Sequence, residues 1–280
     1  MNKKKKFLNR FFFFIILAGC LICLYPLIWM FISSFKEEST IFKDKSLLIR
    51  SFTLFNYQKG FAGISGVPFM RYMLNTLTIC IPVVIGTILS SAMTAYAFVR
   101  VNFKFKNLFF MLMIFTMLMP AHAALIPRFI MFKKLGWTGT YLPLIVPAFF
   151  ATSAFFVFLF VQFMRGIPRS LDESARLDGC GYIGIFIYII MPLCVPAIVT
   201  AAIFSFIWTY DDFLQQLIYI NGLQSYTVSL ALRQYTEALE QSAFGVLFAM
   251  SVIALIPLAL FFIFCQKYLV EGIATSGIKG

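Results

Sequence analysis

Gly166-Ile-Pro-Arg-Ser-Leu-Asp-Glu-Ser-Ala-Arg-Leu-Asp-Gly-Cys-Gly-Tyr-Ile-Gly184 is a polar island between long apolar runs. Three acids and two bases fall in residues 169–178 of a chain whose charged fraction is only 12%. The stretch reads as a short capped helix. Pro168 leads in, and Ser170 with Glu173 has capping-box spacing. Asp172 and Glu173 occupy the first turn, where the helix dipole favours acids, and Asp172 stands four residues before Arg176. Gly179 stands where a left-handed residue would end the helix. Such a helix is far too short to span a bilayer and is expected along the membrane surface, open to a partner.

The surroundings define the solvent. With 280 residues, 61% hydrophobic content and a mean hydropathy of +0.90, the chain reads as an integral membrane protein. Six apolar segments, 11–35, 72–99, 108–129, 141–164, 183–207 and 244–266, are each long enough to cross a hydrocarbon core of about 30 Å. They lack a period of two, so the expected fold is all-α with six transmembrane helices. Pro82, Pro120, Pro127, Pro143, Pro147, Pro192, Pro196 and Pro257 lie within or beside these segments and predict kinks.

Lys and Arg set the orientation. With both termini in the cytoplasm, the inner segments hold Lys3–Lys6, Arg10, Arg100, Lys104, Lys106, Arg165, Arg169, Arg176, Lys267 and Lys279. Their density is roughly twice that of the outer loops, which places the 166–184 island inside. The expected organisation is a basic N-terminus (1–10), a first span (11–35), an external loop (36–71), a transmembrane core (72–266) with an inner surface helix at 168–180, and a cytoplasmic tail (267–280). The net charge of +12 is accounted for by topology and lipid surface. No stripe of base-stacking aromatics lies outside the spans, so a nucleic-acid partner is not expected.

Several patterns carry less than they suggest. Lys3–Lys6, an apolar run and Leu17-Ala-Gly-Cys20 imitate a lipoprotein signal, but apolar sequence continues to Phe35, which favours an uncleaved signal anchor. The six cysteines fall in or near spans, without disulfide-framework or zinc spacing. His122 is the single histidine; a satisfied interior position beside Pro120 is expected, and no metal site. Asp211 and Asp212 follow Trp208 at the external end of a span and suit solvation or a partner better than catalysis. In the tail, Gly272–Lys279 imitates a phosphate loop, but Lys279 is displaced by one residue and is followed by Gly280, not by Ser or Thr. An ATPase site on this chain is therefore not expected, and neither is an enzyme.

Glu173-Ser-Ala-x-x-x-Gly179, nine further residues and then Ile189-x-x-Pro192 resemble the EAA loop of permease subunits of binding-protein-dependent ABC importers. The usual Glu-Ala-Ala is Glu173-Ser174-Ala175 here, and Cys180 replaces a frequent Ala; both changes keep a small side chain. Met119-Pro120, Leu135-Gly136-Trp137, Asn75-Thr76 and Trp208…Asp212-Phe213-Leu214 are similar to the carbohydrate-uptake branch. The ending Gln266-Lys-Tyr-Leu-Val-Glu-Gly272-Ile-Ala-Thr-Ser-Gly277-Ile-Lys279-Gly280 resembles the tail of the maltose-type second permease. Asp211 with Gln215-Gln216 departs from that pattern.

The resemblance implies a type I ABC importer permease fold in a bacterial cell membrane. It implies a homologous second permease, a cytoplasmic ATPase dimer that holds ATP and magnesium, an extracytoplasmic solute-binding protein, and a sugar substrate. No cofactor is then expected on this chain. Asp172, Glu173, Ser174, Ala175, Asp178 and Gly179 would form the helix that couples to the ATPase. Gly272, Gly277 and Lys279 would make a second ATPase contact from the tail. Arg233, Tyr235, Glu237 and Glu240 would meet the binding protein. The competing reading is a secondary transporter or channel, which usually carries ionisable residues at bilayer depth; the spans hold almost none beyond His122. The identity of the sugar is not legible in the chain.

Overall fold

The computed structural model describes residues 3–237 and 243–276. Among them the chain is helical, with isolated bridges at Lys36–Phe52 and Ile64–Val67. The helices are α1 (Lys3–Ser33), α2 (Glu38–Ile41), α3 (Phe55–Ala62), α4 (Phe69–Arg100) and α5 (Lys106–Met117). Next come α6 (Leu125–Lys134), α7 (Leu142–Ile145), α8 (Ala154–Arg165), α9 (Ser170–Leu177) and α10 (Tyr182–Ile185). The series ends with α11 (Met191–Leu193), α12 (Val195–Asp211), α13 (Phe213–Tyr219), α14 (Val228–Glu237) and α15 (Phe244–Ser276).

Four stretches are long and apolar enough to cross a bilayer: Arg10–Ser33, Phe69–Arg100, Leu142–Arg165 and Phe244–Lys267. Six spans are reached when two bent pairs each count as one: Lys106–Met117 with His122–Lys134, at 96°, and Tyr182–Leu193 with Val195–Asp211, at 77°. The first break holds Pro120, and the second falls at Cys194, between Pro192 and Pro196. Pro120 disfavours helical backbone at Met119, and the chain re-enters through a 3₁₀ turn at Ala121–Ala124. Pro192 has no N–H to offer the carbonyl of Tyr188, and Phe186–Ile190 widens into a π-helical turn ahead of the second bend. At the C-terminal end, helix α15 runs on to Ser276, well past the span end expected at 266.

The contacts divide the chain into two compact units, Met1–Arg71 with Ala231–Ile256, and Tyr72–Leu230 with Pro257–Gly280. In the first unit a buried Lys36 donates from Nζ to the carbonyls of Asp44 (3.0 Å) and Ser46 (2.6 Å). Asn56 donates to the carbonyls of Ser34 and Lys36, at 2.8 and 2.9 Å. The Glu38 carboxylate accepts from the N–H groups of Phe244 and Gly245, both at 2.8 Å, and so caps the start of α15. Glycines permit close approaches here: a Cβ on Gly245 would sit 2.6 Å from Asn56 Nδ2, and one on Gly60 would sit 2.5 Å from Met250 Cε. The apolar window of Arg10–Ser33 buries none of its residues within the described chain.

The second unit holds the larger core. Ala92 and Ala95 on α4 and Ala197 and Ala201 on α12 are buried in one cluster with Phe160, Val161, Met164 and Ile185. In a bilayer, where lipid tails are as apolar as leucine, small residues at helix contacts let backbones pack closely, and packing carries the stability. Helix α9 joins this core through Ala175.

Candidate functional site

Helix α9 packs in the second unit against the C-terminal end of α4. Asp172 and Ala175, three apart and so on one face, are buried, whereas Glu173, Ser174, Leu177 and Asp178 are exposed. Arg100, the last residue of α4, holds the buried face: its Nε lies 2.8 Å from Asp172 Oδ2, with the two side chains 3% and 8% exposed. The same guanidinium donates from Nη2 to the Ile167 carbonyl at 2.8 Å. Arg169 Nη2 approaches the Val99 carbonyl at 3.4 Å, so both ends of the linker before α9 are tied to the end of α4. Tyr96 donates to the carbonyl of Tyr182 on the far side of α9, at 3.0 Å.

The local grammar differs in two places from that read in the sequence. Ser170 is not the capping residue: Arg169 precedes the helix with helical backbone (φ −70°, ψ −21°), and its carbonyl accepts from Asp172 and Glu173. A capping hydroxyl needs an extended residue ahead of the first turn, so Ser170 already lies inside and no side chain caps α9. Asp172 pairs with Arg100 and not with Arg176, whose guanidinium lies 4.8 Å from the Tyr182 ring centre. The C-terminal end follows the sequence. Gly179 is left-handed (φ 81°), its N–H bonds to the Arg176 carbonyl, and the Cys180 N–H bonds to the Ala175 carbonyl, which together make a Schellman motif.

The sequence pattern gave no indication of Leu177. It is 90% exposed, beside Glu173 and Asp178 on the outward side of α9. Ser174, where the motif usually has alanine, is exposed and turns its hydroxyl back to the Ser170 carbonyl at 3.0 Å. Nothing heavy lies within 4 Å of a Cβ built on Gly179.

A second feature of this unit is a cavity of about 210 Å³. Thr87, Arg128, Ser205, Trp208, Asp212 and Gln215 supply its polar and aromatic wall, with Ile79, Val83 and Phe156 as apolar floor. Trp208 is held among Phe155, Phe156 and Phe204, at centroid separations of 5.1, 5.3 and 5.6 Å. Gln216 donates to the Thr209 carbonyl at 2.9 Å, and its Oε1 accepts from the hydroxyls of Thr227 and Ser229. A smaller hollow of about 130 Å³ shares Arg128, Asp212 and Gln215 and adds His122. His122 is therefore exposed at a hollow and not buried as expected, because the 3₁₀ turn after Pro120 carries it out of the helix.

The other expected contact residues are placed unevenly. Arg233 is exposed on α14, but Tyr235 is buried and donates to the Gly60 carbonyl at 2.7 Å, a role internal to its own unit. Glu237 ends α14, and Gly272 lies within α15. Glu240, Gly277 and Lys279 lie outside the described residues. Among the described residues no group of three His, Cys, Asp or Glu is arranged to hold a metal.

Residues 83–275, which include α9, the cavity wall and most of α15, match the family described as "Binding-protein-dependent transport system inner membrane component". The chain belongs to this family. It is thus a multi-pass membrane permease subunit of a transporter and not a catalytic enzyme. The permease is 32% identical over 257 residues to "Probable ABC transporter permease protein YurM" of Bacillus subtilis, across 91% of this chain and 84% of that one. It is 30% identical to "Arabinooligosaccharides transport system permease protein AraQ" of Halalkalibacterium halodurans, across 92% of each. It is also 30% identical to "Trehalose/maltose transport system permease protein MalG" of Thermococcus litoralis, across 93% of each. The fold is that of a chain in the structure titled "Crystal structure of a bacterial ABC transporter involved in the import of the acidic polysaccharide alginate". The TM-score is 0.81, at 20% identity and covering 96% of this chain and 98% of that one.

Proposed function

We propose that this permease is one membrane half of an ATP-driven importer for a sugar or oligosaccharide delivered by an extracytoplasmic binding protein. The observation that carries the reading is the build of α9. Its inner face is fastened by Arg100–Asp172 and Ala175, while Glu173, Leu177 and Asp178 stand bare beside a Schellman turn. A helix anchored on one side and unpartnered on the other suits docking into a cytoplasmic ATPase. The nucleotide and its magnesium would sit on that ATPase, and a homologous permease would complete the pathway. Arg233, Glu237 and Glu240 would meet the binding protein, with Tyr235 holding α14 in place, and Gly272, Gly277 and Lys279 would add an ATPase contact.

Two features support a sugar as the substrate. Relatives across nearly the whole chain are named for arabinooligosaccharides and for trehalose and maltose. The cavity pairs the Trp208 indole with hydroxyl, amide and charged groups, a combination that stacks on a pyranose face while bonding its hydroxyls.

Uptake in proteoliposomes tests this reading. Import should require the ATPase subunit, MgATP and loaded binding protein together, and Leu177→Asp should reduce it at least about tenfold with membrane insertion unchanged. Uptake driven by an ion gradient without the ATPase would reject the reading in favour of a secondary transporter.

A further inference from the structure

Beside the Arg100 anchor lies a hollow of about 410 Å³ that the docking role of α9 does not use. Its wall carries four cations, Arg100, Lys106, Arg165 and Arg169, and no carboxylate. Asp172 neutralises Arg100 from outside it, which leaves three positive charges unbalanced. Each keeps hydrogen-bonding capacity. Lys106 spends one N–H on the Val101 carbonyl at 2.9 Å, Arg169 one on the Val99 carbonyl, and Arg165 lies 5.2 Å from the Phe110 ring centre. Like charges gathered on one wall repel one another until an anion joins them.

The setting selects among anions. Lys106 opens α5, and the exposed rings of Phe103, Phe105 and Phe109 surround that first turn. From Phe98 on the hollow's wall an aromatic strip leads outward through the exposed rings of Phe103 and Phe109, at centroid separations of 5.9 and 6.5 Å. An acidic side chain of a soluble partner would satisfy the charges and leave that strip unmatched. A molecule with a phosphate at one end and hydrocarbon at the other matches both, and basic pockets between helices at the inner membrane face suit such headgroups.

We propose that this hollow binds the headgroup of an anionic phospholipid, with its acyl chains lying against Phe103 and Phe109. The site ties the bilayer to the segment that positions α9, so lipid composition would bear on how firmly that helix is held.

Native mass spectrometry of the full-length permease extracted from nanodiscs of mixed phosphatidylglycerol and phosphatidylcholine tests the proposal. The parent should retain phosphatidylglycerol in preference to phosphatidylcholine. Lys106→Gln with Arg165→Gln should weaken that retention by roughly fivefold per charge removed. A charge-matched control, Lys133→Gln with Lys134→Gln on α6, should retain it as the parent does. Thermal melting checks that each variant is folded, and Arg165→Gln alone serves if the double variant is not. Equal retention by parent and double variant overturns the proposal. Displacement of the lipid by millimolar inorganic phosphate would reassign the hollow to a free anion. Loss of the lipid on adding the ATPase subunit, with a cross-link from Arg165→Cys to that subunit, would reassign it to a protein contact.

Discussion

At the scale of single residues, charge and close approach are concentrated in few places. Asp172 and Arg100 are almost completely buried, so removing one partner strands the other's charge. Asp172→Asn is expected to cost about 3 kcal/mol, read as a lowered melting temperature of the purified permease. Arg100→Met with Asp172→Leu should recover most of that stability, because apolar replacement of a whole buried pair is often neutral. A parental melting temperature for Asp172→Asn would mean that the pair is not a fastening. In the other unit, Gly63 is left-handed (φ 85°), and a Cβ there would lie 1.7 Å from the Val67 carbonyl oxygen. Backbone cannot retreat as a flexible side chain can, so Gly63→Ala should cost more than Gly60→Ala, where Met250 can move aside. The ranking is checked by the fraction of each variant extracted as a monodisperse species.

At the scale of elements, the surface helix gives the sharpest test. Open space around Gly179 means that substitution there meets only the penalty for a left-handed side chain, about 1 kcal/mol. Gly179→Asn, which tolerates that conformation, should transport nearly as the parent does. Gly179→Trp should insert normally yet lose more than about tenfold in uptake, because its bulk would protrude toward whatever docks. Normal uptake by a well-inserted Gly179→Trp would remove α9 from the coupling role. This helix also shows how far the sequence could be read. Its existence, its polarity and its Schellman end were legible, since all three depend on residues within one turn of each other. Its fastening was not, because Arg100 lies 72 residues before Asp172 (172 − 100) and local spacing offered Arg176 instead. The same limit hid the cavity. Trp208 and Asp212 were visible as a span end, but Thr87 and Arg128 join them only through packing.

At the scale of the molecule, the break at Pro120 and the one between Pro192 and Pro196 were readable as kinks, but their angles of 96° and 77° were not. A proline dictates where the hydrogen-bond ladder fails, while neighbouring helices dictate which way the chain then turns. The second halves of both bent spans contribute to the cavity wall, so substrate selectivity should respond to that wall independently of coupling. Trp208→Ala is expected to lower uptake through a raised KM for the delivered sugar while ATP hydrolysis stimulated by loaded binding protein persists. Loss of that stimulation together with uptake would place Trp208 in coupling and not in the pathway.

Helix α4 carries both Arg100, at the fastening of α9, and Thr87, on the cavity wall next to the Ser205 hydroxyl at 3.4 Å. Thirteen residues separate them (100 − 87), a length of about 20 Å at the helical rise, without an intervening proline. A rod of that kind resists compression. Under the coupling role proposed for α9, thrust against it would arrive at the chamber as displacement and not be dissipated in bending on the way. A proline at Ser91, midway along the strut, should act as a mechanical fuse: the docking helix and the chamber would each survive, and the stroke between them would not.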